Sequence, residues 1–166
     1  MMYSKVDEIN WPQWVPKERA TLLFIIRQGR ILLIHKKRGL GAGKINGPGG
    51  RLDPGETPVE AAIREVEEEV CVTPQNVRPA GELLFQFCDG YSLHGYVFTA
   101  TDYTGTLAET DEARPEWFPL DSIPYKRMWP DDEFWMPLML KNIWFRGVFI
   151  FDNDDMLDMK LVQDEK

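Results

Sequence analysis

The sequence predicts an α/β protein in which helices cover a mixed β-sheet, and three observations carry that expectation. Several β-branched and aliphatic runs are interspersed with two helical patterns. The first two runs are apolar almost throughout, as strands covered on both faces are. The chain has 166 residues, 43% hydrophobic and 28% charged, enough to close one sizeable core. No linker, repeat or low-complexity tract divides it, so one domain is expected over residues 19–166. Residues 1–18 read as an irregular arm whose Trp11 and Trp14 pack on the body.

The strands come first. Thr21 to Ile26 and Ile31 to Ile34 flank Arg27-Gln28-Gly29-Arg30, a hairpin signal with Gly29 free to take positive φ. Gly39 to Gly55, with seven glycines and two prolines, is expected to be loop. A helix is predicted over Thr57 to Val70. Thr57 and Glu60 make a capping box, Pro58 takes the first helical position, and Val59, Ala62, Ile63, Val66 and Val70 form its apolar stripe. Glu82 to Phe87 and Tyr91 to Ala100 read as strands, and Trp117 to Asp121 as a strand end entering a turn. A second helix is expected over Phe134 to Phe145. Val148 to Phe151 and Met156 to Val162 would form a closing hairpin.

Charge and cysteine content exclude several classes. Nineteen basic against twenty-seven acidic residues give a net charge of −8, which argues against nucleic-acid binding. No apolar run approaches the roughly 20 residues that span a bilayer, and acids occupy the region where a signal peptide has its apolar core. Cys71 and Cys88 make neither a disulfide framework nor a zinc site and are expected as two buried, reduced thiols. A cytoplasmic monomer with no membrane or nucleic-acid partner is the expectation.

The predicted first helix carries the chemistry. Glu65, Glu68 and Glu69 fall within an arc of about 100°, roughly opposite the apolar stripe, and Glu67 adds charge nearby. Like charges at these spacings repel, and they gather toward the C-terminal half, where the helix dipole disfavours them. Arg64 can relieve part of this through Glu60 or Glu68. Clustered oxygen donors suit a hard divalent cation, Mg²⁺ or Mn²⁺, which gives a reason to tolerate the arrangement.

Gly50-Arg51-Leu52-Asp53-Pro54-Gly55-Glu56, seven further residues, then Arg64-Glu65-Val66-Glu67-Glu68-Glu69-Val70-Cys71-Val72 resembles the Nudix box. Every fixed position matches except the last glycine, here Cys71 at the helix exit, where αL geometry favours glycine. From about Arg19 onward the chain is similar to the oxidised-purine nucleoside triphosphatases of the animal 8-oxo-dGTP hydrolase type. The shared landmarks include Lys36-Lys37-Arg38-Gly39, Gly41-Ala42-Gly43, Asn46-Gly47, Gly49-Gly50, Arg114-Pro115, Trp117-Phe118 and Met128-Trp129-Pro130-Asp131-Asp132.

The resemblance implies the Nudix α/β/α sandwich and Mg²⁺-dependent hydrolysis of a nucleoside triphosphate to monophosphate and pyrophosphate, with Mn²⁺ as a substitute metal. It implies metal ligation by Glu65, Glu68 and Glu69 and by the Gly49 carbonyl. Glu112 corresponds to a loop glutamate that reaches the metal and competes with Glu65 for the role of general base. Arg64 and Glu56 would orient the carboxylates. Asn46, Asp131 and Asp132 would read the purine, Trp129 and Phe85 would line its pocket, and Lys36 would meet a phosphate unless it is an exposed strand-end lysine. An adjacent aspartate pair in a poorly solvated pocket shares protons unequally, so it presents one donor and one acceptor. Ile45, Pro48 and Leu40 replace family aromatics, and His94 is expected either to line the pocket in place of a methionine or to face solvent. Alternatives are other Nudix substrates (ADP-ribose or another nucleoside diphosphate sugar, a dinucleoside polyphosphate, a capped RNA end) and a Nudix-fold binding module without turnover.

Overall fold

A computed structural model describes residues 2–164. Eleven strands and two α-helices are present among them: β1 Glu18–Arg27, β2 Arg30–Lys36, β3 Ile45–Asn46, β4 Gly49–Arg51, α1 Pro58–Val70, β5 Val72–Gln75, β6 Arg78–Phe87, β7 Ser92–Ala100, β8 Asp102–Gly105, β9 Ala113–Pro119, α2 Asp132–Leu140, β10 Trp144–Asp152 and β11 Asp155–Asp164. The main sheet runs β11-β10-β6-β7-β1-β2-β3, with β4 on β1 and β9 on β2. β1 with β7 and β6 with β10 are parallel pairs, and the other pairs are antiparallel. The sheet is therefore mixed. β5 and β8 form a separate two-stranded ribbon.

Strand alternation builds a core on each side. Leu23, Ile25, Leu32 and Ile34 point toward α1 and meet Ala62, Val66 and Val70. Phe24, Ile31 and Leu33 point the other way, into a cluster with Trp135, Met136 and Met139 of α2. The near-continuous apolarity of β1 and β2 follows from this double burial. Gln28 and Gly29 both take positive φ, the two-residue hairpin turn that matches strand twist. β1 and β2 pair only at Ile26 with Ile31 and Arg27 with Arg30. Beyond that point they diverge, and β3 and β4 fill the fork.

Several expectations need correction. Within the glycine-rich stretch Gly39 to Gly55, residues 45–46 and 49–51 are paired strands, because glycine lets backbones approach rather than merely turn. The second helix ends at Leu140, not Phe145: Asn142 takes φ 59°, and Trp144 and Phe145 enter β10. Along α1, Val59 is 39% exposed and Ala61 is buried, so the apolar stripe is rotated from the expected one. Cys71 and Cys88 are free, but Cys71 is exposed and Cys88 half-buried.

The segment before β1 is tied to the sheet. Val6 N–H donates to Asp158 Oδ2 (2.8 Å), Trp14 Nε1 to Gln86 Oε1 (2.9 Å), and Lys17 N–H to Ser92 Oγ (2.8 Å). Among the described residues no helix is long and apolar enough to cross a membrane.

Candidate active site

Glu65 and Glu69 are one turn apart on α1, and Glu112 approaches from the loop before β9. One carboxylate oxygen from each lies within 4.8 Å of the others, a cluster capable of coordinating a divalent metal ion. Close backbone approach makes this geometry. A Cβ at Gly49 would overlap the Thr21 carbonyl oxygen, and one at Gly50 would overlap the Glu65 carboxylate. Gly49 N–H donates to Glu69 Oε1 at 2.7 Å. Thr110 Oγ donates to the Glu69 carbonyl (2.8 Å) and accepts from Glu112 N–H (3.3 Å), which ties the Glu112 loop to the end of α1.

Glu69 does not lie opposite the apolar stripe. It is 2% exposed, and burial, aggravated by Glu65 and Glu112, pushes its carboxyl up to about 8 despite the Gly49 hydrogen bond and Lys36. Desolvation also raises Glu65. Lys36 faces all three glutamates from the end of β2, and its own burial lowers its ammonium. Three carboxylates converging beside one partly desolvated lysine leave excess negative charge, and a hard cation fits that donor set.

Arg64 organises the other side of α1. It contacts Glu56 (2.7 Å), Glu65 (2.9 Å) and Glu68 (3.2 Å), and donates to the Arg51 carbonyl (3.1 Å). Glu68 itself is 51% exposed on its side chain and turned to Arg64, outside the three-carboxylate cluster. Arg64 and Glu68 therefore flank the site, while Glu65, Glu69, Glu112, Gly49 and Lys36 line it.

The same cleft, about 890 Å³, continues to Asn46, Trp129, Asp131, Asp132 and Phe85. Asp131, just before α2, and Asp132, its first residue, are 2% and 7% exposed. Burial raises both carboxyls, Asp132 further because it faces Asp131. Asp131 accepts from Trp135 Nε1 at 2.8 Å, a bond that favours the ionised form of Asp131 within the pair. Asn46 Nδ2 reaches the Gly41 and Lys44 carbonyls only at 3.5 and 3.4 Å. Trp129 packs edge-on to Phe87 and Phe151, and the Lys44 ammonium lies 5.1 Å from its ring centre.

His94 is not in the cleft. Leu93 and Gly95 line it, while His94 points to the opposite sheet face, stacks on Tyr96 at 4.3 Å and meets Glu82 at 3.2 Å. A shift of one residue in a strand changes its face, which moves the pocket position to Leu93. Phe87 and Phe151 are lining residues that sequence reasoning missed. Period two from Phe85 identifies Phe87, and the parallel register aligns Phe151 with Phe87. Glu18, Arg51 and Tyr91 at the rim were also missed, because they come from three separate strands and turns.

Comparison with known proteins matches a family model described as "NUDIX domain" to residues 16–139. The chain is 44% identical over 138 residues to the Danio rerio protein named "Oxidized purine nucleoside triphosphate hydrolase", covering 82% of this chain and 88% of that one. The Mus musculus protein of the same name is 40% identical over the same shares. A crystal structure of a MutT protein from Bacillus halodurans superposes with a TM-score of 0.78 at 24% identity, covering 87% of this chain and 97% of that one.

Proposed function

Since the chain belongs to the Nudix family and has its hydrolase fold, we propose that it hydrolyses oxidised purine nucleoside triphosphates of the 8-oxo-dGTP type to monophosphate and pyrophosphate with Mg²⁺, Mn²⁺ substituting. Its role would be cleaning the nucleotide pool before damaged bases reach DNA. The observation that carries this reading is the buried, adjacent Asp131–Asp132 pair, with Trp135 donating to Asp131 alone, in one cleft with the carboxylate cluster. A protonated and an ionised acid side by side suit a base edge that offers one acceptor and one donor. Asn46 adds an amide, and Phe85, Phe87 and Trp129 add aromatic surface. The names of the two animal relatives support the same substrate class.

In this reading Glu65, Glu69, Glu112 and the Gly49 carbonyl would hold the metal, with Glu68 free to join by leaving Arg64. Bound there, Mg²⁺ would neutralise phosphate charge and acidify the attacking water. Lys36 would meet a phosphate oxygen. Arg64 would fix the Glu65 carboxylate through the fork it shares with Glu56. Glu112 and Glu65 are the two candidate bases for the water proton, and desolvation raises the proton affinity of Glu65 above its ordinary value. We read residues 19–166 as the hydrolase, 1–18 as an arm, and the enzyme as a cytoplasmic monomer whose free cysteines suit a reducing compartment.

The test is pyrophosphate release with Mg²⁺ from 8-oxo-dGTP, dGTP, 2-hydroxy-dATP, dATP and ADP-ribose, compared as kcat/KM. A preference of roughly tenfold or more for an oxidised purine, about 1.4 kcal/mol of transition-state discrimination, is expected. A flat profile, or activity on ADP-ribose alone, would remove the base-reading role and leave only the hydrolytic chemistry.

A further inference from the structure

At the rim of the cleft, between the carboxylate cluster and the aromatic end, three side chains form a clasp that the hydrolytic and base-reading roles do not use. Arg51 Nη1 meets Glu18 Oε2 at 2.8 Å, and the Tyr91 hydroxyl faces the same Glu18 carboxylate. Strand register explains the meeting. Ala20 of β1 pairs with Arg51 of β4, so Arg51 shares its face with Ala20 and reaches along β1 to Glu18, two residues away on that face.

Both ends of the clasp are anchored. The Arg51 carbonyl accepts from Arg64, which also holds Glu65, and Gly50 lies directly beneath the Glu65 carboxylate. Tyr91 packs on Phe87, 5.6 Å between ring centres, and Phe87 packs on Trp129. Burial and the Glu18 carboxylate it faces push the Tyr91 hydroxyl up to about 12, so it remains protonated at neutral pH. A ligand with its base among the aromatics and its phosphates at the glutamates must pass along this rim.

Cations are scarce in the cleft. Lys36, Arg38 and Arg51 line it, and Arg38 already faces Glu112 at 3.5 Å. Arg51 has the planar fork that suits a phosphate, yet its Nη1 already meets a carboxylate of the chain itself. We infer that Glu18, steadied by Tyr91, competes intramolecularly for Arg51, so that polyphosphate binding requires Arg51 to exchange the Glu18 carboxylate for a phosphate. Glu18 thereby sets affinity for the phosphate chain without touching the reacting atoms. This inference rests on reading the cleft as a nucleoside polyphosphate site, but not on which base it accepts.

Binding of inorganic tripolyphosphate with Mg²⁺, measured by calorimetry on the full chain, tests the clasp without any base. Glu18→Gln should tighten binding about threefold or more, Tyr91→Phe should tighten it less, and Arg51→Gln should weaken it. The decisive variant is the double one. If Glu18 acts through Arg51, Glu18→Gln adds no tightening in the Arg51→Gln background. An equal gain in that background would mean simple charge repulsion and would overturn the competition, as would no change on Glu18→Gln alone. With a nucleotide that is turned over, the same variant should change KM rather than kcat. Failure of wild-type turnover on purine triphosphates would sink the substrate reading and leave the tripolyphosphate result to decide the clasp.

Discussion

The two ends of the cleft both gather carboxylates, and they solve the repulsion differently. At one end Glu65, Glu69 and Glu112 converge within 4.8 Å beside Lys36, with Glu69 buried. At the other, Asp131 and Asp132 are buried at the start of α2 with Trp135 as hydrogen-bond donor to Asp131 and no cation beside them among the described residues. Three acids beside a lysine make a donor set that a hard cation fits, whereas two adjacent acids with no cation beside them favour retention of a proton. In the proposed reading the same functional group would serve as a metal cradle in one place and as a donor–acceptor pair in the other, according to the local supply of cations.

The sharpest way to break this comparison is to neutralise one end at a time. Glu69→Gln should lower kcat by about a thousandfold or more, roughly 4 kcal/mol in the barrier, in a pyrophosphate-release assay at saturating Mg²⁺. Its metal-free melting temperature should stay equal to or above that of the parent, because a buried carboxyl is replaced by a neutral amide of the same shape. Retained activity would mean that Glu69 does not hold metal. Asp131→Asn should instead change the ratio of kcat/KM between oxidised and ordinary purines by about ten- to a hundredfold, with the Mg²⁺ dependence unmoved. Equal losses on every nucleotide would make the two ends functionally alike.

Stability against pH sharpens the contrast. Glu69, Asp131 and Asp132 all have raised carboxyls in the fold. Below their unfolded values both states hold the protons and the full contribution is present. As pH rises, the unfolded chain releases protons that the native state keeps, so stability declines through the window up to the raised native values, near 8 for Glu69. Without metal, denaturant melts between pH 5 and 8 should therefore show a loss on the order of a few kcal/mol. Saturating Mg²⁺ should remove the Glu69 part of that slope by favouring the ionised form, and Asp132→Asn should remove the aspartate part. A slope that Mg²⁺ abolishes entirely would mean that the aspartate pair does not hold its proton.

How much of this was legible in the sequence follows the range of each interaction. The α1 cap, from Thr57 to Glu60, and the hairpin at Gln28-Gly29 depend on neighbours and are present as expected. The two-sided burial of β1 and β2 was visible as unbroken apolarity. Glu69 was misjudged as lying away from the stripe, although it sits only about 60° from Val66 on the helical wheel. β3, β4 and the β5–β8 ribbon are too short for periodicity and exist through pairing with distant strands. Asn46, Asp131, Asp132, Trp129 and Phe85 were named by resemblance, and the cleft does bring them together. Glu18, Arg51 and Tyr91 had no local signal, since only β-sheet register joins them.

The smallest expected effect lies outside both ends and serves as their control. Cys71 closes α1 in the left-handed region, φ 69° and ψ 19°, with its N–H on the Glu67 carbonyl. That is where the Nudix box has glycine, and a side chain there costs about 1 kcal/mol relative to glycine. The cysteine is exposed, so removing its side chain opens no cavity. Cys71→Gly should thus raise stability by about 1 kcal/mol in denaturant melts, part of the backbone relief being offset by glycine's greater freedom in the unfolded chain. Val70 and the Glu69 carbonyl are one and two residues away, so any distortion of the helix exit would reach the carboxylate end first. An unchanged base preference with altered Mg²⁺ dependence would reveal that coupling, whereas a gain in stability alone shows that the helix exit is structurally separate from the acids it follows.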